Sequence, residues 1–364
     1  MMFEEILNWA PGNEDIFEDL CDNIKKGCVI PFVGAGLSAP LFPLWRGVLE
    51  KLTEKLSSEE NRKAVIDILN SNEPDAYTRA ADKLIELRSE ANVFKDILRI
   101  TNEDKIDDAG LREMAVYLLP FLFHDKPVIT TNYDRVLEHV FRMGDAEYDH
   151  VLGPDSDLSV MIGQQNLHCL FKIHGDIGRK MLDWRKLILT GKSYEKAYKP
   201  GSELVNTLKN FYRGKVILFL GSSLKYDRTL EILKQVADET MISHFAILPC
   251  GKEKLDEEAL FFGNRKIQAL FYDPTHHEAV KKVLEELLRR TDLDSYQRYM
   301  AFPNEEEHES QKRIDPEAEL IKTYIKAQKE LIEETVKSVK DDDIPKANEI
   351  VEILGKLDDI VKKR

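Results

Sequence analysis

The segment GCVIPFVGAGLSAP, residues 27–40, joins a short apolar run to two glycines that stand one residue apart. Gly34, Gly36 and Ala39 fit the spacing G-x-G-x-x-[GA], in which backbone N–H groups can approach a pyrophosphate. The pattern alone is weak, because a glycine turn after a core strand needs no ligand. A dinucleotide-binding dehydrogenase would also need a strand ending in Asp or Glu about 20 residues further on. That stretch is instead helical in pattern, WRGVLEKLTEKLSS, which argues against hydride transfer.

A second polar group follows the apolar residues of VITTNYDRVLEHVF, 128–141. There Thr131 leads into Asn132 and Asp134, and a helical pattern begins. Ligands of open parallel sheets bind outside the carboxyl ends of the strands, so we expect the Asn132 amide to face the crevice. The alternative interpretation makes Asn132 or Asp134 only the N-cap of the following helix.

A third candidate lies in FKIHGDI, residues 171–177, where His174 and Gly175 follow another apolar run. Glycine allows a close approach of the backbone to a ligand. A neutral imidazole accepts a proton near neutral pH, so His174 is a candidate base. The alternative is a histidine that only makes a structural hydrogen bond.

A fourth group follows the apolar run of VILFLGSSLKYD, residues 216–227. It consists of Gly221, Ser222 and Ser223. The two hydroxyl groups suit a ribose or a phosphate, and the alternative is that a serine caps the next helix.

The elements that must position these residues are short apolar runs separated by helical patterns. Several runs are apolar throughout rather than alternating, which is typical of a parallel sheet covered on both faces. The predicted strands are 28–33, 127–131, 168–173, 186–190, 215–220, 244–249 and 267–272. The alternation of strand and helix predicts an α/β fold with a Rossmann-like, doubly wound parallel sheet.

Two long segments stand apart from this alternation. Residues of about 45–125 have helical patterns and no strand signal, which predicts a helical insertion beside the sheet. We expect one domain over 1–305, followed by a C-terminal helical arm over 306–364. The arm has two amphipathic patterns, which either fold back on the sheet domain or mediate assembly.

The composition excludes several classes of protein. With 364 residues and a formal net charge of −14, the chain is a poor general binder of nucleic acid. It has no apolar run long enough for a membrane helix, and its acidic N-terminus is unlike a signal peptide. Its four cysteines form no C-x-x-C pair, which argues against a zinc ribbon and indicates a reducing cytoplasm.

Taken together, the elements G-A-G-x-S, T-x-N-x-D, H-G and G-S-S resemble those of the sirtuin superfamily over residues 14–290. The resemblance implies a Rossmann-like domain whose ligand is NAD. It places the pyrophosphate on Gly34, Ala35 and Gly36, with Ser38 close to the nicotinamide ribose. The other NAD-binding residues that it implies are Thr131, Gly175, Gly221, Ser222 and Ser223.

The resemblance also implies catalytic roles. Asn132 would position the water or the ribose hydroxyls. His174 would bind the ribose hydroxyls or act as a base. Asp134 would orient the loop or offer negative charge near the ribosyl cation.

The chain departs from protein-deacylating sirtuins in two places. It has none of their zinc-binding cysteine pairs, so we expect no zinc, and LFPLWRG stands at 41–47 where they carry a G-[IV]-P-D-F-R stretch. It looks like the sirtuin-like domains of prokaryotic antiphage defence, which mostly hydrolyse NAD. This implies an NAD glycohydrolase that works with a partner such as a HerA-type hexameric ATPase or an Argonaute protein, and self-association through the C-terminal arm would make it a homo-oligomer. The alternatives are a noncatalytic sensor of NAD or ADP-ribose, a zinc-free deacylase and an unrelated Rossmann enzyme.

Overall fold

The structure, a computed structural model, describes residues 1–71, 73–156, 167–177, 187–222, 224, 228–237 and 239–301. Met1–Ala301 form one compact unit. The predicted helical arm at 306–364 and the predicted domain end at 305 lie outside the described residues.

Seven strands of the described chain form one sheet in the order β3-β4-β2-β1-β5-β6-β7, and every pairing is parallel. The strands are β1 Val29–Val33, β2 Val128–Thr130, β3 His150–Leu152, β4 Cys169–Lys172, β5 Val216–Leu220, β6 His244–Pro249 and β7 Ile267–Tyr272. Helices flank this sheet, so the predicted Rossmann-like α/β fold is confirmed.

The first group of α-helices precedes β3. They are α1 Phe3–Leu7, α2 Asn13–Lys25, α3 Trp45–Glu54, α4 Glu59–Leu69, α5 Ala76–Arg88, α6 Glu90–Ile100, α7 Asp108–Arg112, α8 Leu119–Leu122 and α9 Val136–Met143. The α-helices described after β4 are α10 Gly191–Ala197, α11 Glu203–Gly214, α12 Arg228–Ala237, α13 Leu255–Gly263, α14 Ala279–Thr291 and α15 Leu293–Ala301. None of the helices described is both long and apolar enough to cross a bilayer.

Two hydrophobic cores support this architecture. Every residue of β1, β4 and β5 is buried, because helices cover both faces of the sheet. Phe32, Ile129 and Phe219 belong to the core on one face of the sheet. Between β1 and β2, helices α3 to α6 enclose a second core that includes Leu52 and Leu84.

The strand order predicts a ligand-binding crevice at the carboxyl ends of β1 and β5. After β1 the chain passes to β2 on one side of β1. After β5, which lies on the other side of β1, it passes in the opposite direction to β6. Connections that leave two adjacent parallel strands in opposite directions produce a ligand-binding crevice at the carboxyl ends of those strands. The glycine segments after β1 and β5 therefore lie at the expected position for a ligand.

The predicted strand at 186–190 is wrong for its described part, since residues 187–190 form no strand. Leu187 and Leu189 pack into the core of helices α3 to α6, while Ile188 packs into the sheet core. Successive side chains of this segment therefore enter different cores, because the segment lies between the two cores rather than in the sheet. Strand β3 was not predicted, because it is short and mostly exposed.

Candidate functional site

The glycine segments after β1 and β5 touch each other through their backbones. The N–H group of Gly34 donates to the carbonyl of Leu220 at 2.8 Å, and that of Gly36 donates to the carbonyl of Gly221 at 2.8 Å. A Cβ on Gly34 would lie 2.6 Å from the Gly221 oxygen, and Gly221 has a φ of 66°. The glycines thus permit contact between two loops, and two of the N–H groups expected to face a pyrophosphate are bonded within the protein.

The contact between the two loops predicts that Gly36→Ala lowers the stability of the fold. The new Cβ would lie 2.7 Å from the carbonyl oxygen and 2.9 Å from the Cα of Gly221. Because these neighbours are backbone atoms, we expect the variant to lose about 1–3 kcal/mol of unfolding free energy. Urea denaturation measures this loss. Gly263→Ala is the matched control, since nothing lies within 4 Å of its Cβ position, and an unchanged midpoint for Gly36→Ala would contradict the prediction.

The carboxyl end of β2 is joined to the end of β1. The hydroxyl of Thr130 donates to the carbonyl of Val33 at 2.8 Å and accepts from the N–H of Asn132 at 3.0 Å. The N–H of Thr131 also donates to Val33, at 3.3 Å. These bonds fix the direction in which the chain leaves the sheet, and so they orient Asn132.

Ser38 links the two polar side chains of this segment. Its hydroxyl donates to Oδ1 of Asp134 at 3.4 Å and accepts from Nδ2 of Asn132 at 3.2 Å. All three side chains are buried. A serine hydroxyl has a single hydrogen, so a bond to the Asp134 carboxylate requires the NH₂ end of the Asn132 amide to face Ser38. The predicted ribose-side residue Ser38 therefore also positions Asn132.

The other end of the Asn132 amide has no protein partner. Asn132 is only 4% exposed, and its Oδ1 has no hydrogen bond among the described residues. A buried unsatisfied acceptor costs about 1–3 kcal/mol. Such atoms are rare in folded proteins and often mark a functional site.

The N-cap residue of α9 is Arg135, so neither Asn132 nor Asp134 is the N-cap of the alternative interpretation, although Asp134 contacts the start of the helix. Its Oδ1 accepts from the N–H of Val136, the first residue of α9, at 3.0 Å. Burial raises the pKa of Asp134, and the nearby Lys172 opposes that rise. Asp134 therefore joins the first residue of α9 to Ser38.

His174 lies among three tyrosines at the carboxyl end of β4. Its Nε2 lies 2.8 Å from the hydroxyl of Tyr198, and its Nδ1 lies 3.5 Å from the hydroxyl of Tyr194. The ring of Tyr133 is 6.4 Å away between centroids. Burial lowers the pKa of His174 to about 3, so the imidazole is neutral at physiological pH. Gly175 follows with a φ of 96°, a conformation that favours glycine.

The helices between β1 and β2 contact this part of the site. The ring of Trp45 on α3 lies 5.8 Å from that of Tyr133. The hydroxyl of Tyr133 donates to the carbonyl of Ile188 at 2.5 Å. On α5, the carboxylate of Asp82 accepts from the N–H of Gly191 at 3.2 Å. The helical segment thus borders the site on the side of Tyr133.

The predicted residues follow the order of the strands across the crevice. His174 and Gly175 come after β4, Asn132 after β2, the Gly34 loop after β1 and Gly221 after β5. The structure joins Ser38, Asn132 and Asp134 by hydrogen bonds and joins the two glycine loops. The Ser222 hydroxyl accepts from the N–H of Leu224 at 3.4 Å, and Ser223 lies outside the described residues.

Sequence reasoning missed the buried lysine of this site and did not assign its tyrosines. Lys172 is fully buried, and a charged residue inside the otherwise apolar run CLFKI was a visible signal. The spacing of Tyr194 and Tyr198 places both on one face of α10 and its end, which was a second signal.

The described residues contain no cluster of three or more His, Cys, Asp or Glu side chains that could hold a metal ion. A buried, oriented amide and a neutral imidazole can bind the hydroxyls of a sugar or a water molecule by hydrogen bonds. The arrangement can therefore bind a ligand that carries hydroxyl groups.

Residues 126–270 match the family model of the SIR2-like domain. The match covers Asn132, Asp134, His174 and Gly221, and it supports a relation to the sirtuin-like superfamily and an NAD-related function. The loop of Gly34 to Ser38 lies before the matched region, and its contacts with Asn132 and Gly221 attach it to the same site. No curated protein matches the chain.

Proposed function

We propose that the chain is an NAD glycohydrolase, which cleaves NAD into nicotinamide and ADP-ribose. The observation that supports this most is the Asn132 amide, whose NH₂ group is held by Ser38 and whose buried Oδ1 has no partner among the described residues. A hydroxyl or water brought by a bound substrate would satisfy that oxygen. The SIR2-like match supports NAD as the substrate.

In this reaction the bond between ribose C1′ and the nicotinamide nitrogen breaks. The nicotinamide takes the bonding electron pair and leaves as a neutral molecule, so it needs no general acid. The ribose left behind has the oxocarbenium character found in glycoside hydrolysis. A water oxygen then bonds to C1′, and the proton that the water loses passes to solvent.

Each site residue has a role in this proposal. Oδ1 of Asn132 accepts from the attacking water or from a ribose hydroxyl. Neutral His174 accepts from a ribose hydroxyl in place of the Tyr194 hydroxyl, whose contact with Nδ1 is the longer of its two tyrosine contacts at 3.5 Å. A group with so low a pKa is a weak base at neutral pH. Asp134 contributes a negative charge behind Ser38, which favours the positive ribose.

The pyrophosphate is proposed to lie over the two glycine loops at the ends of β1 and β5. Gly34 and Gly36 bring these loops together and thereby shape the floor of the crevice. Because their own N–H groups are bonded to carbonyls, the contacts to phosphate would come from Ala35, the Ser222 hydroxyl and other atoms of the loops. Gly175 would allow close approach on the ribose side.

The cellular role we propose is antiphage defence by depletion of NAD in the cytoplasm. It rests on the resemblance of the site motifs to sirtuin-like defence domains. Since uncontrolled NAD loss would kill the host, the activity must be restrained, and we propose control by self-association or by a partner such as a HerA-type ATPase.

The test is to incubate the purified full chain with NAD and to follow nicotinamide and ADP-ribose by chromatography, alone and with the candidate ATPase. We expect the two products in equal amounts without any peptide. Release that requires an acyl-lysine peptide would identify a deacylase. Saturable NAD binding without products in either arm would identify a sensor and refute the proposed hydrolysis.

A further inference from the structure

Lys172 is a charged residue in a strand whose other residues are apolar or cysteine. It is the last residue of β4, and its side chain is 0% exposed. Burying a charge is unfavourable unless the charge is paired and hydrogen-bonded. The contacts of its ammonium group therefore indicate what the residue does.

The Lys172 ammonium donates to both segments of the candidate site. On the β2 side, Nζ lies 2.7 Å from the carbonyl oxygen of Asp134 and 3.3 Å from that of Tyr133. On the β4 side, Nζ lies 2.8 Å from Oδ1 of Asp176, which comes directly after His174 and Gly175. One ammonium group thus joins the backbone that carries Asn132 to the loop that carries His174.

Acidic partners hold Lys172 in its charged form. Glu138 on α9 accepts from Nζ at 3.0 Å, and Asp176 also accepts from Arg135 at 3.0 Å. Burial opposes the charge, but Glu138 and Asp176 outweigh that effect and raise the pKa of Lys172. Lys172 and Arg135 likewise lower the pKa of Asp176 against the effect of burial. The group is a charged network with the ammonium at its centre.

The contacts of Nζ leave it no role at the substrate. An ammonium group has three hydrogens, and Asp134, Asp176 and Glu138 accept from it at 3.0 Å or less. The Lys172 side chain is 0% exposed, and these three acceptors use all of its ammonium hydrogens.

We propose that Lys172 is a positioning residue that holds Asn132 and His174 in their reactive arrangement. This inference rests on the proposed NAD hydrolysis for its kinetic consequence. Its structural consequence, the joining of the segments 130–137 and 172–177, can be measured without any activity.

The test compares Lys172→Met with the matched variant Lys55→Met. Lys55, the residue directly after α3, is also paired with a buried carboxylate, since its Nζ lies 2.6 Å from Oδ1 of Asp96, but this pair lies among the helices between β1 and β2. We expect Lys172→Met to lower kcat about tenfold with little change in KM, because misplaced reacting groups affect the chemical step. Lys55→Met should lower the melting temperature and leave kcat unchanged.

Hydrogen exchange supplies the second readout. In Lys172→Met, amides in both segments, 130–137 and 172–177, should exchange faster than in the wild type, whereas Lys55→Met should leave both segments unchanged. If the wild type releases no nicotinamide, the proposed hydrolysis fails while the exchange result still decides the role of Lys172. The inference would be overturned if Lys172→Met exchanged its amides in both segments at wild-type rates. It would also be overturned if the wild type were active and Lys172→Met had the same kcat.

Should Lys172→Met fail to fold, Asp176→Asn carries the test. The asparagine keeps an oxygen that can accept from Nζ of Lys172. It removes the negative charge of residue 176, in the loop that carries His174, and leaves the contacts of Nζ on the β2 side in place. We expect a smaller fall in kcat, about threefold, with faster exchange in 172–177. A variant with wild-type kcat and wild-type exchange would again refute the positioning role.

Discussion

Asn132→Ala is expected to lower kcat for NAD hydrolysis by about 100-fold or more, the scale of losing a positioned hydrogen-bonding group at a developing charge. The variant loses the Oδ1 atom that has no partner among the described residues and the Nδ2 atom that donates to Ser38 at 3.2 Å. Removing an unsatisfied acceptor relieves a cost in the folded state. We therefore expect the melting temperature to change little while activity falls. Nicotinamide release and thermal unfolding measure the two effects on the same preparation.

Asn92→Ala is the control for this experiment. Asn92 lies exposed on α6, and its amide donates to the backbone carbonyl of Arg88 at 3.0 Å. The Asn92→Ala variant should have the same kcat as the wild type. If Asn132→Ala kept more than about a tenth of the wild-type kcat, Asn132 would not have the transition-state role proposed here.

The strands were predictable because burial on both faces leaves a local mark in the sequence. Runs such as VIPFV in β1 and VILFL in β5 are apolar at every position, and each is fully buried. Residues 187–190 have a similar composition without being a strand, since their side chains divide between two cores. Strand β3 is exposed and only three residues long, so it leaves little pattern.

The positions of the candidate site residues were predictable, and their contacts were not. Polar residues after apolar strands predict a crevice wherever the strands are parallel, and Asn132, His174 and Gly221 lie after β2, β4 and β5. Their roles in catalysis stay predictions. The bonds of Ser38 to Asn132 and Asp134 join residues far apart in the chain, which no local pattern reports.

The glycine motif after β1 has two structural explanations that its sequence does not distinguish. From spacing alone, Gly34 and Gly36 suit a phosphate-binding turn. In the fold, the atoms next to their Cβ positions belong to Gly221 and Ser222, which are distant in sequence. A glycine required by a second loop and one required by a ligand look identical in a sequence, because both need only the absence of a side chain.

His174→Ala is expected to lower kcat by about 100-fold, on the scale of losing a group that acts directly at the reacting ribose. The variant removes both ring nitrogens, and with them the contacts to Tyr198 at 2.8 Å and to Tyr194 at 3.5 Å. Nicotinamide release measures the loss. The matched control is His150→Ala, at the exposed start of β3, which should keep wild-type activity.

The pH dependence separates a hydrogen-bonding role of His174 from a role as base. Burial lowers its pKa from 6.5 to about 3, so the neutral ring is favoured in the folded protein. A neutral imidazole persists at every pH above that value and is lost only as the pH falls towards 3. We therefore expect the wild-type rate to show no acid limb from His174 between about pH 5 and 8.

His174→Gln separates the two roles directly, because the glutamine amide can accept a hydrogen bond and cannot take up a proton at these pH values. If His174 binds a ribose hydroxyl in its neutral form, glutamine should restore part of the activity, to at least about tenfold above His174→Ala. An acid limb near pH 6.5 in the wild type, together with a glutamine variant as inactive as the alanine variant, would show that His174 takes the proton itself. That outcome would mean that substrate binding raises the pKa of the imidazole by supplying a negative or hydrogen-bonding partner, since burial alone acts in the opposite direction.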